Sequence, residues 1–271
     1  MRSRSVLRTT ILIAASAVAF VPLAFMLMTA LRSPRDYAAE PIGFPTHPQF
    51  SNFSDAVGQD IGRWMLNSLI VTSGSVALVA VLAVLAAYGV VRTPFPGSNL
   101  LFKVLVALMI VPPVVMLIPL FTTMNSLGLA DTRTSVVLAY AGLMFPFSVY
   151  LIARFIETVP EEVYEAALVD GASHLQVIRS VVLPIIQPAL ITVAVVNALW
   201  AWNELLIAVV LLQQESNRTL QAGLALLQGR NTTNIPLVMA GTTLSVLPML
   251  FLYLVFQRHL REGILAGALK G

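Results

Sequence analysis

The chain contains no cysteine among its 271 residues. Disulfide bonds, iron–sulfur clusters and thiolate zinc sites are therefore excluded. Histidine is scarce as well, because only His47, His174 and His259 occur and they lie in three separate predicted segments. Neither an H-E-x-x-H motif nor a nucleophile-elbow motif is present. The sequence therefore predicts no catalytic residue and no metal site in this chain.

A phosphate-binding loop of the G-x-x-x-x-G-K-[ST] type is also missing, and the only lysines are Lys103 and Lys270. Such a loop cradles nucleotide phosphates with its backbone N–H groups and its lysine. The chain is therefore not expected to hydrolyse ATP, so any ATP-derived energy must come from a partner.

Charge is low throughout, since only 11% of the residues are charged whereas 58% are hydrophobic and the mean hydropathy is +0.85. A soluble domain of this length cannot cover its surface with so few charges. A polytopic membrane protein can, because lipid replaces water around helices that satisfy their own backbone groups. The formal net charge of +3 is too small to indicate nucleic-acid binding. The composition predicts an all-α protein that crosses a membrane several times.

Six apolar runs are long enough to cross a bilayer, which takes about 20 residues as a helix. Pro112, Pro113 and Pro119 lie in the third run and must interrupt its helical hydrogen bonds, which predicts a kinked helix buried within the bundle. The chain is predicted to form one transmembrane domain over residues 1–271. The predicted spans cover about residues 10–31, 64–91, 100–124, 134–155, 185–212 and 236–257.

Six spans place both chain ends on one side of the membrane. With this topology ten of the 16 Lys and Arg residues fall on the side of the termini and six on the other. Positive residues are enriched on the cytoplasmic side of membrane proteins, so both termini are predicted to be cytoplasmic. The outer loops are then residues 32–63, 125–133 and 213–235, and the inner segments include residues 156–183 and the tail 258–271.

Residues 156–183, called the elbow below, carry helix signals between the fourth and fifth spans. Thr158 and Glu161 have the spacing of a capping box, and Pro160 suits the first turn of a helix. A short helix is expected to begin near Pro160 and to end at Gly171, the residue type that adopts the left-handed conformation of a helix end.

A second helix is expected to follow at once. Ser173 and Gln176 repeat the capping-box spacing, and this helix carries Leu175, Ile178 and Val182 toward Pro184. Two short helices in sequence make a sharp turn whose small, partly apolar face suits a groove on a soluble partner. An ordinary amphipathic loop resting on lipid headgroups is the alternative.

The spacing of the elbow resembles the EAA signature of permease subunits of bacterial ABC importers. The residues that carry the resemblance are Glu165-Ala166-Ala167, three residues, Gly171, nine residues, Val181, one residue and Leu183-Pro184. Val181 stands where that family commonly has Ile, a small loss of volume that should not disturb docking. The resemblance implies that the elbow docks on an ATP-hydrolysing subunit, with the following coupling residues: Glu165, Ala166, Ala167, Asp170, Gly171, Leu183 and Pro184.

The last eight residues, ILAGALKG at 264–271, are similar to the end of the six-span permease subunit of maltose-type importers. The resemblance implies one half of a translocation pathway for a sugar or sugar derivative, in a bacterial inner or plasma membrane. It also implies three kinds of partner: a second permease in a heterodimer, two ATP-binding subunits that hold ATP and Mg²⁺, and an extracytoplasmic solute-binding protein. No cofactor is expected in this chain.

The fifth span holds the one acidic side chain predicted inside a span, Glu204. Such residues usually face a cavity or a polar partner, because exposure to lipid is costly. Asn197, Trp200 and Glu204 recur at helical spacing, so one face of this span is a candidate lining of the solute pathway. Alternatively, Glu204 lies near the outer interface and caps a neighbouring helix.

Two other functions remain open on the sequence alone. An ion-coupled secondary transporter would carry more charges at the bilayer midplane and an inverted repeat, whereas here Glu204 is the only acidic residue within a predicted span. A membrane assembly subunit without a transport role is the second alternative, against which the polar face of the fifth span argues.

Overall fold

The computed structural model describes residues 2–230 and 234–268, and these form α-helices joined by turns. Helices α1–α7 are Arg2–Ala30, Pro34–Ala39, Ser51–Ala56, Gly62–Arg92, Ser98–Leu108, Leu117–Ser126 and Arg133–Ile156. Helices α8–α13 are Glu161–Val169, His174–Val177, Leu183–Asn203, Leu206–Leu211, Leu220–Arg230 and Ile235–Ala268.

Five helical segments of the described chain are long and apolar enough to cross a membrane. A sixth span arises if α5 and the segment Pro113–Ser126, which bend by 102° relative to each other, are counted together. The prediction of an all-α polytopic membrane protein is confirmed. The five segments are Arg8–Ala30, Ser51–Arg92, Arg133–Ile156, His174–Asn203 and Ile235–Gln257.

The prolines of the third predicted span break it rather than kink it. Pro112 is extended, with ψ of 132°, and Pro113 opens a single 3₁₀ turn that leads into α6. Pro119 lies in the first turn of α6, where a missing N–H costs no helical hydrogen bond. The predicted burial was wrong for this chain by itself, since Ile110 is 82% and Ile118 78% exposed.

The fifth predicted span begins earlier and ends earlier than expected. Helix α10 continues from the second helix of the elbow and stops at Asn203 instead of Leu212. Glu204 is extended, with ψ of 126°, and α11 begins two residues later as a separate six-residue helix.

The sixth predicted span also differs at its end. Helix α13 does not stop at Gln257 but continues to Ala268, so the predicted tail begins inside a helix. Residues 269–271, which complete the tail likeness, lie outside the described residues.

The chain divides into two compact units. The first comprises the described residues within 1–65 and 220–248. There the amide of Asn52 donates to the carbonyls of Ala30 and Arg32, both at 2.8 Å, and so satisfies groups at the end of α1. The buried guanidinium of Arg32 donates in turn to the carbonyls of Asp36 and Pro41. The predicted loop 32–63 is therefore an ordered segment.

Within the same unit the predicted loop 213–235 contributes α12, an 11-residue helix with buried Leu220, Leu224 and Leu227. Gly223 of α12 lies against the ring of Trp64, and a Cβ at this glycine would be 2.2 Å from the indole. Only glycine permits this approach, which leaves Trp64 2% exposed.

The second unit comprises the described residues within 66–219 and 249–271, and its core lies between α4, α7 and α10. One cluster of buried side chains includes Tyr164, Val177 and Val182 of the elbow. A second cluster includes Tyr140 of α7 with Ile207 and Leu211 of α11. Burial of each large apolar side chain contributes about 1.5–3 kcal/mol, so the elbow is anchored in the core of this unit.

Candidate functional site: the elbow and the polar face of α10

The first helix of the elbow, α8, begins at Glu161 directly after Pro160, as predicted. Glu161 and Glu162 occupy its first turn, where negative charge favours the positive end of the helix dipole. The predicted cap by Thr158 was wrong, because the Thr158 hydroxyl donates to the Phe155 carbonyl at 2.8 Å and Pro160 takes the cap position. Thr158 therefore forms its hydrogen bond at the end of α7 and does not cap the start of α8.

Gly171 ends α8 in the left-handed conformation, with φ of +83°, as predicted. The N–H of Gly171 donates to Leu168 O and that of Ala172 to Ala167 O, each at 3.0 Å. These two bonds form the Schellman motif, which satisfies carbonyls at the helix end. The turn of the elbow is thus determined by one glycine.

The second helix, α9, starts after Ser173, whose backbone N–H donates to Gln176 Oε1 at 2.7 Å. Val177, Ile178 and Val182 are buried, whereas Leu175 is 68% exposed. The next turn is widened, because Leu183 N–H donates to Ile178 O, five residues earlier. This wide turn precedes Pro184, which has no N–H to continue the ladder. The second arm of the elbow therefore runs directly into α10.

The predicted coupling residues divide between two faces of the elbow. Ala167 and Leu183 are half-buried and pack against the core of their own chain. Val169 is 86% exposed and, with Leu175, adds apolar surface beside the exposed coupling residues. The members of the set that are exposed are Glu165, Ala166, Asp170, Gly171 and Pro184.

Asn197 and Trp200, predicted to line a pathway, lie together beside one pocket of about 200 Å³. The amide of Asn197 is buried and donates to Ser148 Oγ of α7 at 2.8 Å. The ring of Trp200 meets Tyr140 edge to face, with 5.4 Å between centroids. The pocket is otherwise lined by Leu143, Met144, Phe147 and Val196.

Glu204 does not continue this helical face, because α10 ends before it. Its carboxylate accepts from the N–H groups of Ile207, at 3.0 and 3.1 Å, and of Ala208, at 3.2 Å. The Tyr140 hydroxyl donates to Glu204 Oε2 at 2.8 Å. The carboxylate thus caps the start of α11, which is the alternative that the sequence left open. Tyr140 contacts both this carboxylate and the ring of Trp200.

Ser148 and Tyr140 were missed by sequence reasoning. Both lie on α7, and their link to α10 depends on how these two helices face each other. A signal for the break at Glu204 was present, because a carboxylate shortly before an apolar run is a common helix start.

Comparison with known proteins supports the family suggested by the elbow. The model of the family described as "Binding-protein-dependent transport system inner membrane component" matches residues 79–265. The melibiose/raffinose/stachyose import permease protein MelC of Bacillus subtilis is 32% identical over 273 residues, covering 100% of this chain and 99% of that protein. The diacetylchitobiose uptake system permease protein NgcG of Streptomyces coelicolor is 32% identical over 263 residues, with 96% and 87% covered.

A solved structure shows the same fold. A chain in the crystal structure of a bacterial ABC transporter involved in the import of alginate, an acidic polysaccharide, superposes with a TM-score of 0.81. The two are 24% identical, and the match covers 95% of this chain and 96% of that one. With the family model matching well over half of its length, the chain belongs to the binding-protein-dependent transport system inner membrane components, the permease subunits of ABC importers.

Proposed function

We propose that this permease forms half of the pathway by which an ABC importer brings a sugar or sugar derivative into the cell, and that its elbow docks on an ATP-hydrolysing partner at the cytoplasmic face. The observation that carries the proposal is the elbow itself, which is anchored in the core on one side and free on the other. Tyr164 and Val177 are buried, whereas Ala166 and Val169 are exposed.

The free side of the elbow suits a protein groove. Ala166, Val169 and Leu175 offer small and apolar surface, and Glu165 and Asp170 flank it with negative charge. A short helix with such a face binds in the helix-in-groove mode. ATP and Mg²⁺ are then bound by the partner, and the chain itself contributes docking and transmission.

A second permease is proposed because the pocket beside Asn197 and Trp200 is small. Its volume of about 200 Å³ is less than the roughly 300–1,000 Å³ typical of small-molecule sites. A second permease facing this surface would enlarge the cavity. Residues 8–23 of α1 are all exposed and offer further apolar surface to a neighbouring subunit.

The solute class is inferred from relatives. MelC is named for melibiose, raffinose and stachyose, and NgcG for diacetylchitobiose. These solutes are rich in hydroxyl groups, and an amide such as Asn197 with an aromatic ring such as Trp200 is a suitable pair for binding them. An extracytoplasmic binding protein would deliver the solute, as the family description implies.

The test is to purify the tagged permease from its native membrane together with whatever co-elutes and to measure ATP hydrolysis. We expect an ATPase and a second permease in stoichiometric amounts, and hydrolysis that rises when the binding protein and an oligosaccharide are added. An amino acid mixture serves as the solute control. Recovery of the permease without an ATPase would contradict the docking proposal, and stimulation by amino acids alone would contradict the solute class.

A further inference from the structure

The end of α4 next to the elbow contacts both of its helices. Tyr88 and Arg92 are one helical turn apart on α4, so their side chains project from the same face. Arg92 lies against α8 and the end of α7, whereas Tyr88 lies against α9. Neither residue belongs to the signature that identified the elbow.

Arg92 joins the end of α7 to the first helix of the elbow. One of its guanidinium nitrogens, Nη2, donates to Ile156 O at 2.9 Å and to Val159 O at 2.5 Å. Ile156 is the last residue of α7, where positive charge is favourable, and Val159 lies in the turn that leads to α8. The guanidinium carbon lies 3.8 Å from the centre of the Tyr164 ring, which is 4% exposed. The stack orients α8 relative to α4.

Tyr88 holds the second helix. Its hydroxyl and His174 Nδ1 are 3.0 Å apart, and the two rings meet edge to face with 6.0 Å between centroids. His174 is the first residue of α9. The two contacts of α4 therefore fall on either side of the turn at Gly171.

Arg92 contacts the ring of Tyr164 and not its hydroxyl. The hydroxyl is buried and has no hydrogen-bond partner among the described residues. A phenylalanine would keep the face of the ring for the guanidinium and would remove an unsatisfied polar group. This difference provides a sharp test.

We propose that Arg92 and Tyr88 are positioning residues that set the angle of the elbow relative to α4, so that α4 carries movement between the docked ATPase and the membrane helices. The proposal rests on the proposed function of the elbow. Stacking on the Tyr164 ring while Nη2 donates to both carbonyls needs a planar guanidinium, which lysine does not have. Arg92→Lys should therefore resemble Arg92→Gln more than the wild type.

The functional test measures solute imported per ATP hydrolysed by the complete transporter in proteoliposomes. We expect Arg92→Gln and Tyr164→Leu each to lower this ratio about fivefold or more, the lower range of coupling between distant sites. Tyr164→Phe should leave the ratio unchanged. The double variant Arg92→Gln/Tyr164→Leu should have a ratio no lower than that of the poorer single variant, because Arg92 and Tyr164 form one contact.

Arg154→Gln is the matched control. It removes one positive charge near the same end of α7, where Arg154 pairs with exposed Glu157 at 2.9 Å. We expect its ratio to equal that of the wild type. A wild-type ratio in assembled Arg92→Gln, or additive losses in the double variant, would overturn the proposal. A residue with only a structural role would lower the yield of the complex without changing the ratio of the part that assembles.

A second measurement needs no ATPase and therefore separates this proposal from the proposed function. Spin labels on Asn99→Cys and Val169→Cys, both exposed positions of a cysteine-free chain, report the distance between the start of α5 and the end of α8. We expect a narrow distribution in the wild type and in Tyr164→Phe, and a broader or shifted one in Arg92→Gln and Tyr164→Leu. An unchanged distribution in these last two variants would show that Arg92 does not set the angle of the elbow.

Discussion

At Gly171 a single backbone angle determines how the two helices of the elbow meet. Within the described part of the chain, no heavy atom other than those of its two neighbours lies within 4 Å of the position that a Cβ would take, so a side chain there meets open space. The cost of a substitution is therefore conformational alone, about 1–2 kcal/mol for a residue forced into the left-handed region.

Gly171→Val should leave the permease in the membrane and sharply reduce both uptake and ATPase recovery. Valine is β-branched and disfavours φ of +83°, so α9 would reorient relative to α8. Gly171→Asn is the control, since asparagine tolerates this conformation and should retain most of both activities. Equal losses in the two variants, or normal uptake in Gly171→Val, would contradict this explanation.

Glu204 is tested by two substitutions that differ in capping. Glutamine keeps an oxygen that can accept from Ile207 N–H and Tyr140, whereas leucine removes the acceptor and leaves these donors unpaired. We expect Glu204→Leu to impair uptake more than Glu204→Gln. The loss of paired buried groups should cost about 1–3 kcal/mol, seen as a lower thermal midpoint of the purified permease.

These variants also distinguish a capping role of Glu204 from a role in the solute pathway. If Glu204→Gln transports normally, the cap suffices and the charge is not required. If it remains folded but loses uptake, the carboxylate takes part in the pathway predicted with Asn197 and Trp200. Normal uptake and stability in Glu204→Leu would contradict both roles.

At the scale of elements, the two faces of α8 have different tasks. Ala166 is exposed, whereas Ala167 is half-buried against the core of its own chain. The two alanines of the signature are therefore not equivalent. Of the two alanines, only Ala166 can be replaced to test the partner groove without disturbing the elbow.

Ala166→Trp should fold normally and abolish ATPase recovery, because a close-fitting groove has no volume for an indole. Co-purification of the ATPase with the tagged variant is the measurement. Asn99→Trp, an equally exposed site at the start of α5, is the control and should retain the ATPase. A stable complex with Ala166→Trp would show that this face does not enter a groove.

Local chemistry predicted those elements whose signals lie within a few residues. Gly171 and Pro160 mark the elbow because the left-handed conformation and the first helical turn select these residue types. Contacts such as Arg92 with Tyr164 or Asn197 with Ser148 were not predictable, since they depend on which helices face each other. The apolar run around Glu204 contains neither glycine nor proline. The helix is interrupted there where the Glu204 carboxylate caps α11, and hydropathy does not show such a cap.

For the molecule as a whole, hydropathy predicted some bounds closely, since the predicted span 134–155 nearly coincides with α7, Arg133–Ile156. The 102° bend between α5 and α6 was not predicted, because prolines predict a break but not its angle. The orientation in the membrane remains a prediction from the distribution of Lys and Arg.

Cysteine labelling tests this orientation in a chain that has no native cysteine. An impermeant thiol reagent added to intact cells should label Phe44→Cys, in the predicted outer loop 32–63, and should not label Glu165→Cys in the elbow. Both side chains are exposed, so access to the thiol depends on the side of the membrane. Inside-out vesicles are the control and should show the opposite pattern. Labelling of Glu165→Cys from outside intact cells would reject the topology.

The central claim is that this permease moves its solute by docking on a partner that hydrolyses ATP. The most direct measurement is solute accumulation in proteoliposomes that contain the purified complex and the binding protein, with ATP on the elbow side and no ion gradient. The account predicts accumulation that requires hydrolysable ATP and is lost in Gly171→Val. Accumulation driven by an ion gradient without ATP, or equal accumulation by the wild type and Gly171→Val, would contradict it.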